Sequence, residues 1–426
     1  MEYKAYSLRN FKEIPQIAKL STEKIKDIEI VGRVLPFKTN SYVINELIDW
    51  DNYQNDPLFI STFPQRGMLS KEHYNIVDEL HLKGANEKEI LKTVNVIRQE
   101  LNPHPAGQLE KNVPLYNGQR LNGVQHKYNE TVLFFPSQGQ TCYAYCTFCF
   151  RWPQFSGDHN LKLATKEISL LINYIKDKPE VTDLLFTGGD PMVMSANILS
   201  SYIDAILEAK IPHLKTIRIG TKTLGFWPYR YLTDKDSDQI IDVFKRIVDS
   251  GLNLSIMAHF NHYRELESDA VLKAVKRIQS TGAIIRTQSP ILNHINDNAD
   301  VWQKMWQKQA GLGMIPYYMF VPRDTGAQKY FAVTLERAYN VFRDAYSNVS
   351  GIARTVRGPI MSANPGKVKV EGMLYLEEGK AFILNFIQAR DTSWVKKPFM
   401  AKYNDKAIWL YDLKPYLGEE KFFFDK

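Results

Sequence analysis

The sequence is poor in cysteine and has no long hydrophobic run, and each absence excludes a class of protein. Its 426 residues include only three cysteines. They are clustered and odd in number, so they cannot form the disulfide framework of a small secreted domain. No apolar stretch approaches the roughly 20 residues of a membrane span, and the N-terminal segment MEYKAYSLRNFKEIPQ lacks the apolar core of a signal peptide. We therefore expect a cytoplasmic protein with no membrane partner.

The charge balance also lacks a strong bias. The formal net charge of +7 is modest for this length, and lysine and arginine are spread along the chain. No nucleic-acid-binding module is recognisable, so nucleic acid is not an expected partner. The mild positive charge suits anionic cofactors or substrates. A hydrophobic content of 44% is ample for a large globular core.

The pattern along the chain divides into three regions. Residues 1–115 form a predicted N-terminal helical region, with amphipathic helices over 71–84 and 85–101 that the proline- and glycine-containing segment 102–108 ends. Over 116–345, short apolar runs alternate with amphipathic helical patterns, which is typical of βαβ units and a parallel sheet. The alternation stops near 345, and 346–426 are predicted to form a C-terminal α+β cap over the barrel mouth.

Six apolar runs define the predicted strands of the middle region. They are 131–135, 183–189, 216–220, 252–260, 283–292 and 315–321. Six strand–helix units predict an α/β fold, a partial (βα)6 TIM-like barrel. In such barrels the chemistry lies at the C-terminal ends of the strands.

The three cysteines follow the first of these strands. Cys142, Cys146 and Cys149 have C-x3-C-x2-C spacing. Three thiolates can bind three irons of a [4Fe–4S] cluster, which leaves one iron open to the amino and carboxylate groups of S-adenosylmethionine (SAM). This spacing after a strand is typical of radical SAM enzymes. A zinc site with His126 or His259 as fourth ligand is the alternative reading of the same residues.

Further segments resemble one family in particular. CTFCFRW, LLFTGGDPMVMS, IRIGTKT, HFNH, QSPILNHIND, PYYMF and ILNF resemble segments of the lysine 2,3-aminomutase family, in the same order. The similarity covers roughly residues 100–390. The resemblance implies a radical SAM enzyme that also binds pyridoxal 5′-phosphate (PLP) and moves an amino group from Cα to Cβ of an amino acid.

The resemblance also implies roles for individual residues. Gly188, Gly189 and Asp190 match the loop that binds the amino group of SAM, and His259 and Gln288 match positions near SAM. Arg151 matches the arginine that pairs with the substrate carboxylate, a role that suits a guanidinium fork. Lys367 is the better match for the lysine that binds PLP, with Lys369 in reserve.

The departures from the family pattern concern PLP and the substrate. The family has arginines on the PLP phosphate where this chain has Lys127 and Thr131, although Lys127 and Tyr128 can still serve. The family binds the substrate ammonium with two aspartates. Asp324 matches the first, while the second falls near 362–364, which contains no acid. A buried unpaired ammonium is costly, and Arg323 and Asn364 suit an acidic or polar side chain, so lysine is not the expected substrate.

These observations leave three hypotheses. The first is a PLP-dependent 2,3-aminomutase for an amino acid other than lysine, supported by Lys367 together with Arg151. The second is a PLP-free radical SAM enzyme of the same family with a different reaction. The third is a non-catalytic iron–sulfur protein. The expected partners are a small amino-acid substrate and a reductant such as flavodoxin or ferredoxin, and the sequence leaves open whether the protein is a homo-oligomer.

Overall fold

A mixed sheet of eleven strands organises the described part of the chain. The computed structural model describes residues 1–102, 112–156, 164–377 and 379–425. The predicted helix-breaking segment therefore falls, after Asn102, outside the described residues. The strands are β1 (Ala5–Ser7), β2 (Lys38–Asn40), β3 (Leu115–Tyr116), β4 (Gln119–Arg120), β5 (Val124–Tyr128), β6 (Thr131–Phe134), β7 (Asp183–Phe186), β8 (Thr216–Thr221), β9 (Asn253–His259), β10 (Ile284–Pro290), β11 (Ile315–Phe320), β12 (Arg357–Ser362), β13 (Gly366–Leu376), β14 (Gly379–Ala389) and β15 (Pro398–Lys402).

The six predicted strands are confirmed as β6 to β11. Each begins within one residue of its predicted start, and the six strands pair in parallel with one another. One face of the strands is buried against helices, as Ile217 and Ile219 of β8 show. Arg218 and Gly220 alternate with them and face a cavity on the other side. The sheet therefore separates the hydrophobic core from the candidate site.

The strand–helix alternation was expected to stop near residue 345, but it continues for one more strand. The helix Leu335–Ser347 leads into β12, which pairs in parallel with β11 as a seventh parallel strand. The antiparallel strands β13 to β15 then extend the same sheet. β5 pairs antiparallel at the opposite edge. Among the described residues the two edge strands do not pair with each other, so barrel-like curvature stays a prediction.

The helices cover the sheet and build the N-terminal region. Their bounds are Thr22–Val34, Pro57–Thr62, Lys71–Leu82, Glu87–Glu100, Ile168–Lys176, Ala196–Glu208, Thr223–Phe226, Ser237–Asp249, Asp269–Gln279, Ala299–Gly311, Gln328–Phe331 and Leu335–Ser347. The two predicted N-terminal helices are confirmed, and Ser70 and Asn86 cap them by accepting a backbone N–H. Within the described chain, no helix has the length and hydrophobicity that a membrane crossing requires.

Candidate active site

The C-terminal ends of the parallel strands open into one cavity of about 770 Å³. Every site residue that the sequence predicts lines it: Cys142, Cys146, Cys149, Arg151, Gly188, Gly189, Asp190, His259, Gln288, Lys127, Tyr128, Arg323, Asp324, Asn364 and Lys367. These residues come from positions 127 to 367. The parallel strands β6 to β11 carry or precede most of them, while the antiparallel strands β5 and β13 contribute Lys127, Tyr128 and Lys367. The reserve candidate Lys369 does not line the cavity. Its Nζ donates to Glu371 Oε2 at 2.6 Å.

The N-terminal region holds the cysteine loop in place. Lys38 Nζ donates to the Cys142 carbonyl oxygen at 2.7 Å, and Asn40 Nδ2 donates to the Tyr143 carbonyl oxygen at 3.2 Å. The Tyr145 N–H donates back to the Lys38 carbonyl at 2.8 Å. This gives the first region of the chain a role that the sequence did not indicate, because it fixes the backbone that presents the three thiols.

The three thiols suit a cluster better than a single ion. Burial raises the pKa of each of them, so a bound cation is needed to hold them as thiolates. In the described residues no three His, Cys, Asp or Glu side chains are grouped so as to hold one metal ion. A cubane instead takes one thiolate at each of three irons. His126 does not line the cavity and its Nδ1 lies 2.6 Å from Tyr174 Oη, so it does not complete a zinc site.

The two glycines of the GGDP loop allow it to pack on the cysteine loop. A Cβ added at Gly188, whose φ is 141°, would lie 2.2 Å from the side-chain Nε2 atom of Gln140. At Gly189 it would lie 2.4 Å from the Thr141 carbonyl oxygen. At Gly189 the obstacle is backbone, so an added side chain would force one loop to move, and at Gly188 the positive φ itself disfavours any other residue. The sequence suggested close approach to a ligand, and the structure shows close approach to the cysteine loop.

The Asp190 carboxylate fixes the neighbouring strand end. It accepts hydrogen bonds from the Thr221 and Thr223 hydroxyls at 2.8 and 2.9 Å, and from the backbone N–H groups of Met192 and Lys222 at 3.0 and 2.9 Å. Burial raises its pKa. With four donors already bound, Asp190 acts through the loop geometry that it imposes.

His259 and Gln288 are register partners at the ends of β9 and β10. The Nε2 atom of His259 is buried and has no hydrogen-bond partner. Burial, with a smaller contribution from the Lys222 charge, holds its pKa well below the ordinary value. A neutral imidazole with an unused nitrogen at a cavity wall is suited to bind a ligand.

A buried ion pair behind His259 was missed by the sequence reasoning. Lys222 Nζ donates to Glu265 Oε2 at 2.6 Å and to Asn261 Oδ1 at 2.9 Å. Glu265 also accepts the N–H groups of Asn261 and His262 at 2.7 and 3.1 Å. Lys222 comes directly after strand β8. The rule that site residues follow the C-terminal ends of parallel strands could therefore have identified it.

Lys367 is a buried amine with few hydrogen-bonding options. Its Nζ donates to Gln388 Oε1 at 2.5 Å and lies 5.1 and 4.9 Å from the ring centroids of Tyr128 and Tyr318. Burial, and then the charges of Arg218 and Arg357, lower its pKa to about 7. The amine is therefore partly neutral at neutral pH, which a nucleophilic lysine requires.

Basic side chains dominate the cavity wall. Among the described lining residues, seven are lysine or arginine and two are aspartate. Lys127 Nζ donates to the Ala363 carbonyl oxygen. Burial, and then the charges of Arg390, Arg323 and Lys367, lower its pKa to about 6. The buried Tyr128 hydroxyl has no hydrogen-bond partner.

Comparison with known proteins identifies the family. A protein of Aquifex aeolicus, provisionally named L-lysine 2,3-aminomutase, is 30% identical over 97% of this chain and 96% of its own length. The L-lysine 2,3-aminomutase of Bacillus subtilis is 24% identical over 89% of this chain and 71% of its own.

The chain belongs to the lysine 2,3-aminomutase family.

No family model matches the sequence. Two solved structures show weaker likenesses. A radical SAM methyltransferase from Sphaerobacter thermophilus has a TM-score of 0.37 at 13% identity, over 70% of this chain and 94% of that one. SuiB of Streptococcus suis bound to S-adenosylmethionine has a TM-score of 0.35 at 11% identity, over 63% and 56%. Scores this low carry no argument about the fold.

Family membership makes this chain a radical SAM enzyme and implies a [4Fe–4S] cluster and SAM. The donors fit both groups. Three thiols on one fixed loop face the cavity, and the unpartnered His259 Nε2 lies on the same cavity wall. When bound, the cluster supplies the electron that cleaves SAM.

Thr131 and Arg218 lie next to each other on the cavity wall. The family resemblance implies an arginine at position 131, and Arg218 of β8 donates from its Nη2 to the Thr131 hydroxyl at 3.4 Å. Arg218 also pairs with Asp183 at 2.7 Å. The wall beside Thr131 therefore carries a guanidinium group, which β8 supplies.

Proposed function

We propose that this protein is a PLP-dependent radical SAM 2,3-aminomutase that acts on an α-amino acid other than lysine. One observation carries the proposal: Lys367 opens onto the same cavity as the three cysteines, whereas Lys369 does not. A lysine for PLP and thiols for a cluster in one enclosed space are what an aminomutase of this family needs. PLP supplies a conjugated π-system that can carry an unpaired electron while the nitrogen moves.

The residues around Lys367 fit PLP. The amine is held by Gln388 and kept partly neutral by burial and by Arg218 and Arg357. Arg218, Lys127 and the unpartnered Tyr128 hydroxyl line the cavity around it and can bind a phosphate. Arg218, which also pairs with Asp183, supplies a guanidinium group beside Thr131.

Arg151 is positioned to orient the substrate through its α-carboxylate. Its guanidinium stacks on the Phe135 ring at 4.6 Å and on Phe150 at 5.1 Å. Burial lowers its pKa to about 10, so the group stays charged at neutral pH. A desolvated, stacked guanidinium holds a carboxylate in a defined orientation, as hydrogen abstraction from one carbon requires.

The wall charges disfavour lysine as the substrate. Asp324 is the only aspartate among the described lining residues besides Asp190, whose carboxylate is already fully hydrogen-bonded. The segment 362–364, near which the family resemblance places a second acid, contains no acid. An ε-ammonium group would be surrounded by arginines, which is unfavourable in a desolvated site.

Trapping of the lysine tests the proposal. Anaerobically purified protein is incubated with PLP, reduced with borohydride and digested, and the modified peptide is identified by mass spectrometry. We expect a pyridoxyl group on Lys367, loss of labelling in Lys367→Arg and normal labelling in Lys369→Arg. Labelling of Lys369 alone would contradict the assignment of the lysine.

The second candidate is a PLP-free radical SAM enzyme of the same family. The observation in its favour is Thr131, which removes an expected phosphate contact. It predicts that reduced, reconstituted protein cleaves SAM while borohydride labels no lysine. A one-electron donor such as flavodoxin or ferredoxin serves both candidates.

A further inference from the structure

Each of the three cysteines in the C-x3-C-x2-C loop has a positive side chain nearby. Burial raises the pKa of all three thiols, and a cation opposes this effect in each case: Lys38 at Cys142, Lys222 at Cys146 and Arg151 at Cys149. A positive charge beside a thiol stabilises its thiolate form. The fold therefore supplies one cation for each of the three thiols.

Two of these cations are engaged elsewhere. Lys222 forms the buried ion pair with Glu265 at 2.6 Å, and the Glu265 charge acts on the pKa of Cys146 in the opposite sense. Arg151 lines the cavity, where its guanidinium is open to a bound ligand. The charge of Lys38 is the one that the cysteine loop does not share with either of them.

Lys38 is a partly buried cation that forms no ion pair with a carboxylate of the described residues. Its Nζ donates to the Cys142 carbonyl oxygen at 2.7 Å and lies 5.8 Å from the Tyr145 ring centroid. Burial lowers its pKa, and the Cys142 charge opposes this. By contrast, the exposed Lys4 of the same region pairs with Glu13 at 3.1 Å. Because a desolvated charge without a counter-charge is costly, Lys38 indicates an anion held by the cysteine loop.

The backbone around Lys38 fixes its ammonium group in this place. Lys38 begins β2, where it lies opposite Ser7 of β1. Its carbonyl oxygen accepts the Tyr145 N–H at 2.8 Å, so the strand and the cysteine loop are joined from both sides of this residue. Lys38 is not among the residues that line the cavity. Its ammonium group therefore reaches the cysteine loop from outside the cavity.

We propose that the Lys38 ammonium group raises the reduction potential of the cluster that Cys142, Cys146 and Cys149 bind. On reduction, [4Fe–4S]²⁺ gains one electron and becomes [4Fe–4S]⁺, and a one-electron donor of the flavodoxin or ferredoxin class loses that electron. A fixed cation stabilises the more negative, reduced state, and net charge is one of the factors that set cluster potentials. The inference goes beyond the proposed function, because it holds with or without PLP.

A redox titration followed by electron paramagnetic resonance tests the assignment without turnover. Anaerobically reconstituted protein, free of SAM, PLP and amino acids, is titrated with dithionite and mediators. We expect Lys38→Met, at equal iron content, to lower the equilibrium constant for reduction roughly tenfold, a shift of about 59 mV to lower potential. Lys4→Met, which breaks an exposed pair, should titrate like the wild-type protein. An unchanged potential in Lys38→Met would overturn the proposal.

Two further variants separate the charge of Lys38 from its hydrogen bond. Lys38→Arg keeps the positive charge and should keep the wild-type potential, whereas Lys38→Gln keeps a donor without the charge and should titrate like Lys38→Met. The same two variants decide the question if Lys38→Met does not fold or assembles no cluster. Equal potentials in Lys38→Arg and Lys38→Gln, or loss of iron from both, would overturn the proposal, because the side chain would then only hold the loop.

Discussion

Lys367 lies directly opposite Gln388 across the β13–β14 pair, with Nζ 2.5 Å from Oε1. A neutral amide accepts this hydrogen bond without adding a negative charge that would hold the amine protonated. Burial and the charges of Arg218 and Arg357 then lower the amine pKa to about 7. The strand pairing thus produces a reactive lysine from a residue type whose ordinary pKa is near 10.4.

The rate of PLP capture should follow the protonation of Lys367. Only the neutral amine attacks the PLP carbonyl, so the rate should level off above the pKa of about 7 and fall about tenfold per pH unit below it. In Gln388→Glu a carboxylate would stabilise the ammonium form, raise the pKa and move the profile to higher pH. Stopped-flow absorbance of PLP measures both profiles. Identical pH–rate profiles for the wild-type protein and Gln388→Glu would show that residue 388 does not influence the pKa of Lys367.

Gly189→Ala should separate the GGDP loop from the cysteine loop. The added methyl group would lie 2.4 Å from the Thr141 carbonyl oxygen, so one loop must move. We expect SAM affinity to fall roughly tenfold and the iron content after reconstitution to drop. Gly311→Ala is the matched control, because open space surrounds that position. Wild-type SAM affinity in Gly189→Ala would show that the loop contact is dispensable.

Lys222→Met should destabilise the protein through Glu265. The side chains of this pair are 10% and 1% exposed, so removal of the lysine leaves a buried carboxylate unpaired, at a cost of about 3–5 kcal/mol. Lys245→Met breaks an exposed pair with Asp249 and should cost less than about 1 kcal/mol. Thermal or urea unfolding of both variants gives the comparison, and equal losses would contradict a structural role for the buried pair.

His259→Phe should weaken SAM binding without destabilising the protein. The Nε2 atom has no partner in the fold, so its replacement removes an unsatisfied polar group and should leave stability unchanged or raise it by about 1 kcal/mol. SAM affinity, measured by calorimetry on the reconstituted protein, should fall. A variant that unfolds more easily but binds SAM normally would make His259 a core residue.

The sequence located the strands well because each buried strand carries a short apolar run bounded by caps and turns. β6 to β11 begin within one residue of their predicted starts. β12 was missed, since its sequence RGPIMS contains a glycine and a proline, which normally argue against a sheet strand. β5, which carries Lys127 and Tyr128, is an edge strand with a mostly polar sequence, so its hydrophobic signal is weak.

Sequence motifs predicted many of the residues that line the cavity, but not those that only the folded structure brings there. The cysteines and the GGDP loop have recognisable spacing, and they lie together as expected. Gln388 has no local signal, because its contact with Lys367 depends on the pairing of β13 with β14. The hydrogen bonds of Lys38 and Asn40 to the cysteine loop join positions about a hundred residues apart, which no short pattern reveals.

Direct detection of nitrogen migration tests the central claim. Reduced, reconstituted enzyme with SAM and PLP is incubated with a panel of α-amino acids labelled with ¹⁵N at the amino group, and the products are analysed by mass spectrometry and NMR. The account predicts a β-amino acid that carries the ¹⁵N label on Cβ. Cleavage of SAM to 5′-deoxyadenosine with no labelled β-amino acid from any member of the panel would contradict it.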